Sequence, residues 1–469
     1  MIALPDFSFS LRHPPSLDRH FLPASMWERE FRQLGEVVGR RPIEIYLSRP
    51  DGRGSLHRDF LLPQDEQFAE WNSRYLERTI KFLLWSRGGS RISIQGAPEA
   101  LTGLAKIYAS DGRRSFDNHF VERLFGEGIS IREGGVDGAE EEESWLDSQR
   151  GLQDSHLEGC RIGFDLGGSD RKCAAVIDGE VIFSAEIPWD PYFQSDPRYH
   201  YEGVMDSLRM AARHLPRVDA IGGSAAGVYV DNRVKVASLF RGVPDRVFQD
   251  EVEGMFLRIA DEWDGVPFRI VNDGDVSALA GSMAVGEGCV MGLAMGTSTA
   301  VGYVDGGGQI NGWLSELAFA PIDFQREAPL DEWSGDSGCG VQYLSQQAVS
   351  RLIPASGLSI SPALSAAEQL VEVQEAMERG DERAESIYET IGSYLGYAIP
   401  QISRFYEVRH LQLLGRVLSG RGGDVLLEKA RAVVRDEFPV LAASLAISTP
   451  DEQIKRHGQA IAAASLPQI

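Results

Sequence analysis

Asp165-Leu166-Gly167-Gly168-Ser169-Asp170-Arg171-Lys172 brings a carboxylate, two glycines, a hydroxyl and an ammonium group together at the end of an apolar run. Glycines lack a Cβ, so they permit positive φ and let backbone amides close on an anion. Ser169 and Lys172 add a hydroxyl donor and a positive charge. Asp165, at the strand end, can hold Mg²⁺ through water, because Mg²⁺ keeps most of its hydration shell. A second stretch, Ala294-Met295-Gly296-Thr297-Ser298-Thr299-Ala300, sets three hydroxyls between two apolar strands and suits a second phosphate clamp. A third, Leu413-Leu414-Gly415-Arg416-Val417-Leu418-Ser419-Gly420, runs through Gly422-Gly423 into an apolar helix. Such a strand-to-helix turn can cradle the flat face or the phosphates of a nucleotide. Taken alone, each stretch also reads as an ordinary polar turn. Between the first two lies Val271-Asn272-Asp273-Gly274, where an apolar strand stops at a carboxylate and a helix begins. That carboxylate can face a ligand at the strand end. It can equally be part of a helix cap, a role that Asp275 can also fill.

The elements that must position these residues follow from periodicity. Residues 66–88 carry apolar groups at helical spacing and stop at Gly88-Gly89. RISIQG then alternates as a strand, and APEALTGLAKIYA reads as a second helix. Together they predict a small α/β unit over 1–133. Residues 134–159 are rich in Gly, Asp and Glu without an apolar period, which predicts an acidic linker. IGFDLGG and CAAVIDGEVIFSAEI read as a meander with a turn at Asp178-Gly179. Helices and strands alternate afterwards, and beyond about residue 340 the pattern is mainly helical up to HLQLLG. Two strand-rich beginnings, each followed by helices, predict an α/β protein of two related halves around a cleft.

Composition narrows the partners. A chain of 469 residues exceeds one core, so two or three packed units are expected. With 43% hydrophobic and 25% charged residues it has the make-up of a soluble globular protein. No run approaches the ~20 apolar residues of a membrane span. The opening MIALPDFSFSLRHPPSLDRH lacks the features of a secretory signal, so a cytoplasmic location is expected. A net charge of −23 repels phosphate backbones and anionic membranes, which argues against nucleic-acid or membrane partners. Residues 1–132 are nearly neutral, with 19 Lys and Arg against 17 Asp and Glu, and show no basic recognition helix. Cys160, Cys173, Cys289 and Cys339 lie far apart, without metal-ligand spacing.

The order DLGGS, VNDGDVSALAG, AMGTST, SELAFAP and LLGRVLSG resembles the ROK (repressor, ORF, kinase) family of the sugar-kinase/actin/Hsp70 superfamily, over about residues 160–440. The resemblance implies two RNase H-like (actin/hexokinase-type) domains around a cleft, 160–272 and 273–445, followed by a C-terminal segment 446–469. It implies ATP and Mg²⁺ as cofactors and phosphoryl transfer to a hydroxyl of a sugar or sugar-like polyol. Gly167, Gly168 and Ser169, with Lys172, match the first phosphate loop, and Asp165 stands beside the metal. Gly296, Thr297 and Ser298 match the second phosphate loop; Gly415 and Ser419 match the adenosine region. Asn272 would bind a sugar hydroxyl, Asp273 would be the catalytic base, and Glu316 and Ser224 would belong to the sugar pocket. A homodimer is left open.

Four positions depart from the family pattern: Phe319 replaces a histidine, Cys339 stands alone where a cysteine cluster is usual, Ser298 replaces a glycine, and Arg416 interrupts the adenosine glycines. The resemblance leaves two classes of function, a sugar kinase or a catalytically weak sugar- or nucleotide-binding regulator with the N-terminal unit as its output. A tetrahedral zinc site needs four N or S ligands close together. Elemental analysis of the purified protein is therefore expected to find no stoichiometric zinc, and about one zinc per chain would contradict this.

Overall fold

The structure, a computed structural model, describes residues 9–135, 156–450 and 458–469. Most of the predicted acidic linker lies outside the described residues. The chain divides into two compact units. The first contains Met1–Leu146, Leu293–Val301 and Gly312–Ile447, and the second Asp147–Gly292, Gly302–Asn311 and Ser448–Ile469. Residues 1–146 thus fall in the same compact unit as 312–447.

In the first unit, β1 (Arg41–Ser48), β2 (Gly54–Leu61), β3 (Arg91–Gln95) and β4 (Ser130–Glu133) form a sheet of order β2-β1-β3-β4. Ile43, Ile45 and Leu47 of β1 alternate inward, the pattern of a half-buried strand. Helix Ala69–Arg87 buries Tyr75, Leu76, Ile80, Leu83 and Leu84, and ends at Gly88, whose φ of 75° few other residues tolerate. Helix Ala24–Val38 and strands β1 and β2 have no counterpart in the sequence reading. The helix Ala24–Val38 packs by ring stacking, Phe31 lying 4.0 Å from Tyr75. Its Glu28 accepts hydrogen bonds from Gln401, at 2.8 Å, and from Arg404. Both partners belong to the end of helix Glu382–Ser403 and the residue after it.

The second unit is built on a five-stranded sheet of order β11-β8-β5-β6-β7. β5 (Cys160–Leu166), β6 (Asp170–Ile177) and β7 (Glu180–Pro188) form the expected meander, and Asp178-Gly179 turn with φ of 48° and 84°. β8 (Ala220–Ala225) pairs with β5 in parallel; a ribbon of β9 (Val228–Val230) and β10 (Arg233–Val236) follows, and β11 (Phe268–Asn272) pairs with β8 in parallel. Ile162, Phe164, Ile221, Ile270, Leu208 and Phe256 share one core. β12 (Val290–Met295), β13 (Thr299–Val304), β14 (His410–Leu414) and β15 (Ala446–Ser448) make another sheet, of order β13-β12-β14-β15. No helix among the described residues is long and apolar enough to cross a membrane.

The C-terminal segment carries a short helix, Gln459–Ala464, that lies directly on β5 and β8. Two glycines make this approach possible: a Cβ at Gly163 would overlap the carbonyl oxygen of Ala460, and one at Gly222 that of Ala463. Arg161 clamps the helix end by donating to the carbonyls of Ala464 and Pro467, at 3.2 and 2.8 Å. Gly222→Ala must therefore push the helix off the sheet. A loss of about 1–3 kcal/mol is expected, as for overpacked cores, read from the midpoint of urea unfolding; an unchanged midpoint would contradict this packing.

Candidate active site

Three parallel strand ends meet in the second unit. Asp165 of β5 sits opposite Ser224 of β8, and Ser224 opposite Val271 of β11. Ser224 Oγ donates to Asp165 Oδ1 at 2.6 Å. Asp165 is buried, and its carboxyl is pushed up to about 6; burial is the main cause and nearby Asp273 adds to it, against the Ser224 bond and Lys172.

Asn272 ends β11 and caps helix Asp273–Val285. Its Oδ1 accepts from Gly274 N–H at 2.7 Å while its Nδ2 donates to the Gly227 carbonyl at 2.7 Å. The cap is therefore Asn272, which corrects the cap role offered for Asp275: Asp275 Oδ1 instead accepts from the backbone N–H of Tyr303 at 3.3 Å. Asp273 is half-buried, and burial raises its carboxyl above the ordinary carboxylate value, opposed only by backbone amides such as Gly274 N–H at 3.0 Å.

The loop after β5 is braced from behind. Trp189 Nε1 donates to the Gly167 carbonyl at 2.7 Å, and Trp189 N–H to the Ser169 carbonyl at 3.1 Å. Neither Gly167 nor Gly168 takes a positive φ, so the sequence argument for these glycines is corrected: a Cβ at Gly168 would overlap the Tyr192 ring. Ser169 Oγ donates to Asp170 at 2.8 Å, and the Lys172 ammonium lies 3.8 Å from Asp170.

In the first unit, the loop after β12 exposes Thr297 and Ser298, while Thr299 Oγ1 turns inward to the Leu344 carbonyl at 2.9 Å. Two of its three hydroxyls therefore remain for a ligand. Gly415 has a φ of 101°, and a Cβ there would overlap the Met295 carbonyl. The glycine thus brings the turn after β14, with exposed Ser419, against the Met295-Gly296 loop. Glu316 heads a short 3-10 turn, Leu317–Phe319. Its backbone N–H donates to the Trp85 carbonyl at 2.9 Å, as Ser315 N–H does to Ser86 at 3.0 Å and Leu314 N–H to Arg87 at 3.4 Å. Those carbonyls end helix Ala69–Arg87, where no intrahelical donor is left for them.

No protein-family model matches the chain, and no curated protein matches it. Solved structures do. The ROK hexokinase of Thermus thermophilus aligns at a TM-score of 0.52 with 20% identity, covering 66% of this chain and 97% of that one. The chain shares the fold of that structure over two thirds of its length. Its α/β class is the class expected from the sequence. At lower TM-scores stand two further structures. A ROK family glucokinase from Streptomyces griseus in complex with glucose and AMPPNP scores 0.47, at 18% identity, over 66% of this chain and 99% of that one. A ROK family transcriptional regulator, described as a homologue of the E. coli MLC protein, scores 0.49, at 19% identity, over 66% and 78%. Identities this low speak to the fold alone.

The end of β5 fits a hydrated Mg²⁺ by its donor chemistry. Asp165 offers a buried oxygen donor, and Mg²⁺ commonly takes one or two carboxylates together with substrate phosphates. Among the described residues no group of three or more His, Cys, Asp or Glu would hold a metal unaided. Cys339 is buried beside Ser334 and Asp336, and burial pushes its thiol up to about 11. Trp189 and Tyr192, which shape the first loop, were missed in the sequence; their only signal is an aromatic pair after an apolar strand.

Asp275 yields a pH test. Its carboxyl is pushed up to about 7 by burial, with Asp273 adding and Arg269 and the Tyr303 amide opposing. The folded state therefore keeps this proton to higher pH than the unfolded chain, whose ordinary value is 3.8. Stability from this site falls as pH rises between those values. Asp275→Asn removes the slope, so its stability relative to wild type is expected to rise from about pH 5 to about pH 8. A difference that is flat or falls over that range in urea unfolding would contradict the assignment.

Proposed function

We propose that the protein catalyses ATP-dependent phosphorylation of a hydroxyl of a sugar or sugar-like polyol. The observation that carries this reading is Asp273, a carboxylate just past the end of β11 whose proton affinity is raised by burial, with no cation set against it among the described residues. A sugar hydroxyl does not ionise at neutral pH, so its attack on phosphorus needs a positioned proton acceptor, and a carboxylate with raised pKa is better matched to that task. The proton of the acceptor hydroxyl passes to an Oδ of Asp273 as its oxygen bonds to the γ-phosphorus and ADP leaves.

The other residues take supporting parts. Asn272 uses one N–H on Gly227, and its second N–H serves a sugar hydroxyl. Glu316 accepts from further hydroxyls. Asp165, oriented by Ser224, would hold a Mg²⁺ ion through water, and a bound ion would supply positive charge to offset that of the phosphoryl group. Gly167, Gly168, Ser169 and Lys172 serve the phosphates, as do Gly296, Thr297 and Ser298; Gly415 and Ser419 serve the adenosine.

Asp273→Asn keeps the size of the side chain and the helix cap on Asn272, so the fold is expected to survive. With the best sugar, kcat should fall by ~10² or more, the size typical of losing a general base, while sugar binding without turnover changes little. Near-normal kcat would move the base elsewhere.

A further inference from the structure

Four aromatic rings gather at the turn that Glu316 heads. Phe319 stands 4.4 Å from Trp85 and 5.2 Å from Phe116, and Trp85 stands 5.0 Å from Phe120. Phe116 and Phe120 are 5.9 Å apart, four residues from each other on helix Ser115–Phe125, and so share one face. Trp85 is buried, but Phe116, Phe120 and Phe319 each keep part of their ring area open. Buried indole N–H groups nearly always find an acceptor. Trp85 Nε1 is buried and has none among the described residues.

The cluster is continuous with the turn that carries Glu316. Phe319 N–H donates to the Glu316 carbonyl at 3.2 Å, closing the 3-10 turn that Glu316 heads. Trp85 also accepts the Glu316 backbone N–H. One residue thus ties the aromatic cluster to the carboxylate. Phe116, Phe120 and Trp85 belong to the segment before residue 133, so the surface is assembled from both that segment and the Glu316 turn.

We infer that Phe116, Phe120 and Phe319 form an apolar subsite for the acceptor, selecting a sugar or polyol that bears an aromatic or bulky apolar substituent over the bare compound. The inference rests on the acceptor role proposed for Glu316. An unsubstituted hexose would leave the open parts of three rings in water, whereas a substituent of phenyl size would cover them. An acceptor atom on that substituent would satisfy Trp85 Nε1.

The test is calorimetric binding, without ATP, of paired phenyl and methyl β-glycosides of glucose, galactose and mannose. The phenyl member of at least one pair is expected to bind about tenfold or more tightly than its methyl partner, the size of well-packed aromatic contacts. The double variant Phe116→Leu/Phe120→Leu keeps apolar volume but loses the rings, and should bring that ratio close to one. Equal binding of both members in every pair by wild type would overturn the inference. So would a double variant that keeps the phenyl preference, or one that changes the oligomeric state while keeping it, since the rings would then cover a second copy of the chain. Because binding is read without ATP, an absence of phosphoryl transfer would count against the kinase reading alone.

Discussion

Parallel pairing of β5, β8 and β11 is the constraint on which the proposed chemistry depends. It delivers three strand ends to one edge, and the register sets Asp165, Ser224 and the Asn272-Asp273 pair side by side. The carboxyl ends of parallel strands are where open α/β sheets bind ligands. The same arrangement takes carboxylates out of water, and the opposing charges of Lys172 and Arg269 do not outweigh that burial. Burial then raises the proton affinity of Asp165, Asp273 and Asp275 together, and the charge of Asp273 makes Asp165 and Asp275 harder still to ionise. Such a set favours a group that accepts a proton and a site that welcomes an external cation. The sheet can hold them because β5 is buried along its length, with Gly163 and Gly222 admitting the C-terminal helix against it.

In the first unit, position is set by unsatisfied backbone rather than by charge. The last turn of helix Ala69–Arg87 has carbonyls with no helical donor, and residues 314–316 supply the N–H groups. The loop leading to Cys339 is fastened in a different way. Burial alone would push the Asp336 carboxyl up, but Lys81, Arg78 and Arg114 hold it well below the ordinary range. Lys81 and Arg78 come from that same helix, at 2.6 and 3.0 Å from Asp336. An ion cluster and an aromatic cluster from the N-terminal segment therefore flank the turn that carries Glu316. Phe319 suits this packing: a ring among Trp85, Phe116 and Phe120 is better hydrophobic than polar.

Much of this was legible because it is local. The meander of β5 to β7 follows from alternation and the Asp178-Gly179 turn, and the ends of β5, β11, β12 and β14 follow from apolar runs stopped by Gly, Asn or Asp. What escaped depends on partners distant in sequence. Gly163 and Gly222 look like indifferent strand glycines until Ala460 and Ala463 lie on them. Gly167 and Gly168 suggest left-handed backbone, yet Gly168 is needed only because Tyr192 crosses it. Asp275 looks like a cap, but Asn272 reaches Gly274 first and leaves Asp275 to Tyr303. The alternation of Ile43, Ile45 and Leu47 is a local signal of β1 that adjoins no motif.

The central claim is that this site transfers phosphate, and one measurement meets it directly. Purified protein with Mg-ATP labelled at the γ position would be offered a panel of hexoses, aminosugars, polyols and their glycosides, with products separated and counted. The account predicts label in at least one sugar phosphate, formed in step with ADP and dependent on the acceptor. Binding of sugar and nucleotide with no labelled sugar phosphate from any member of the panel would contradict it.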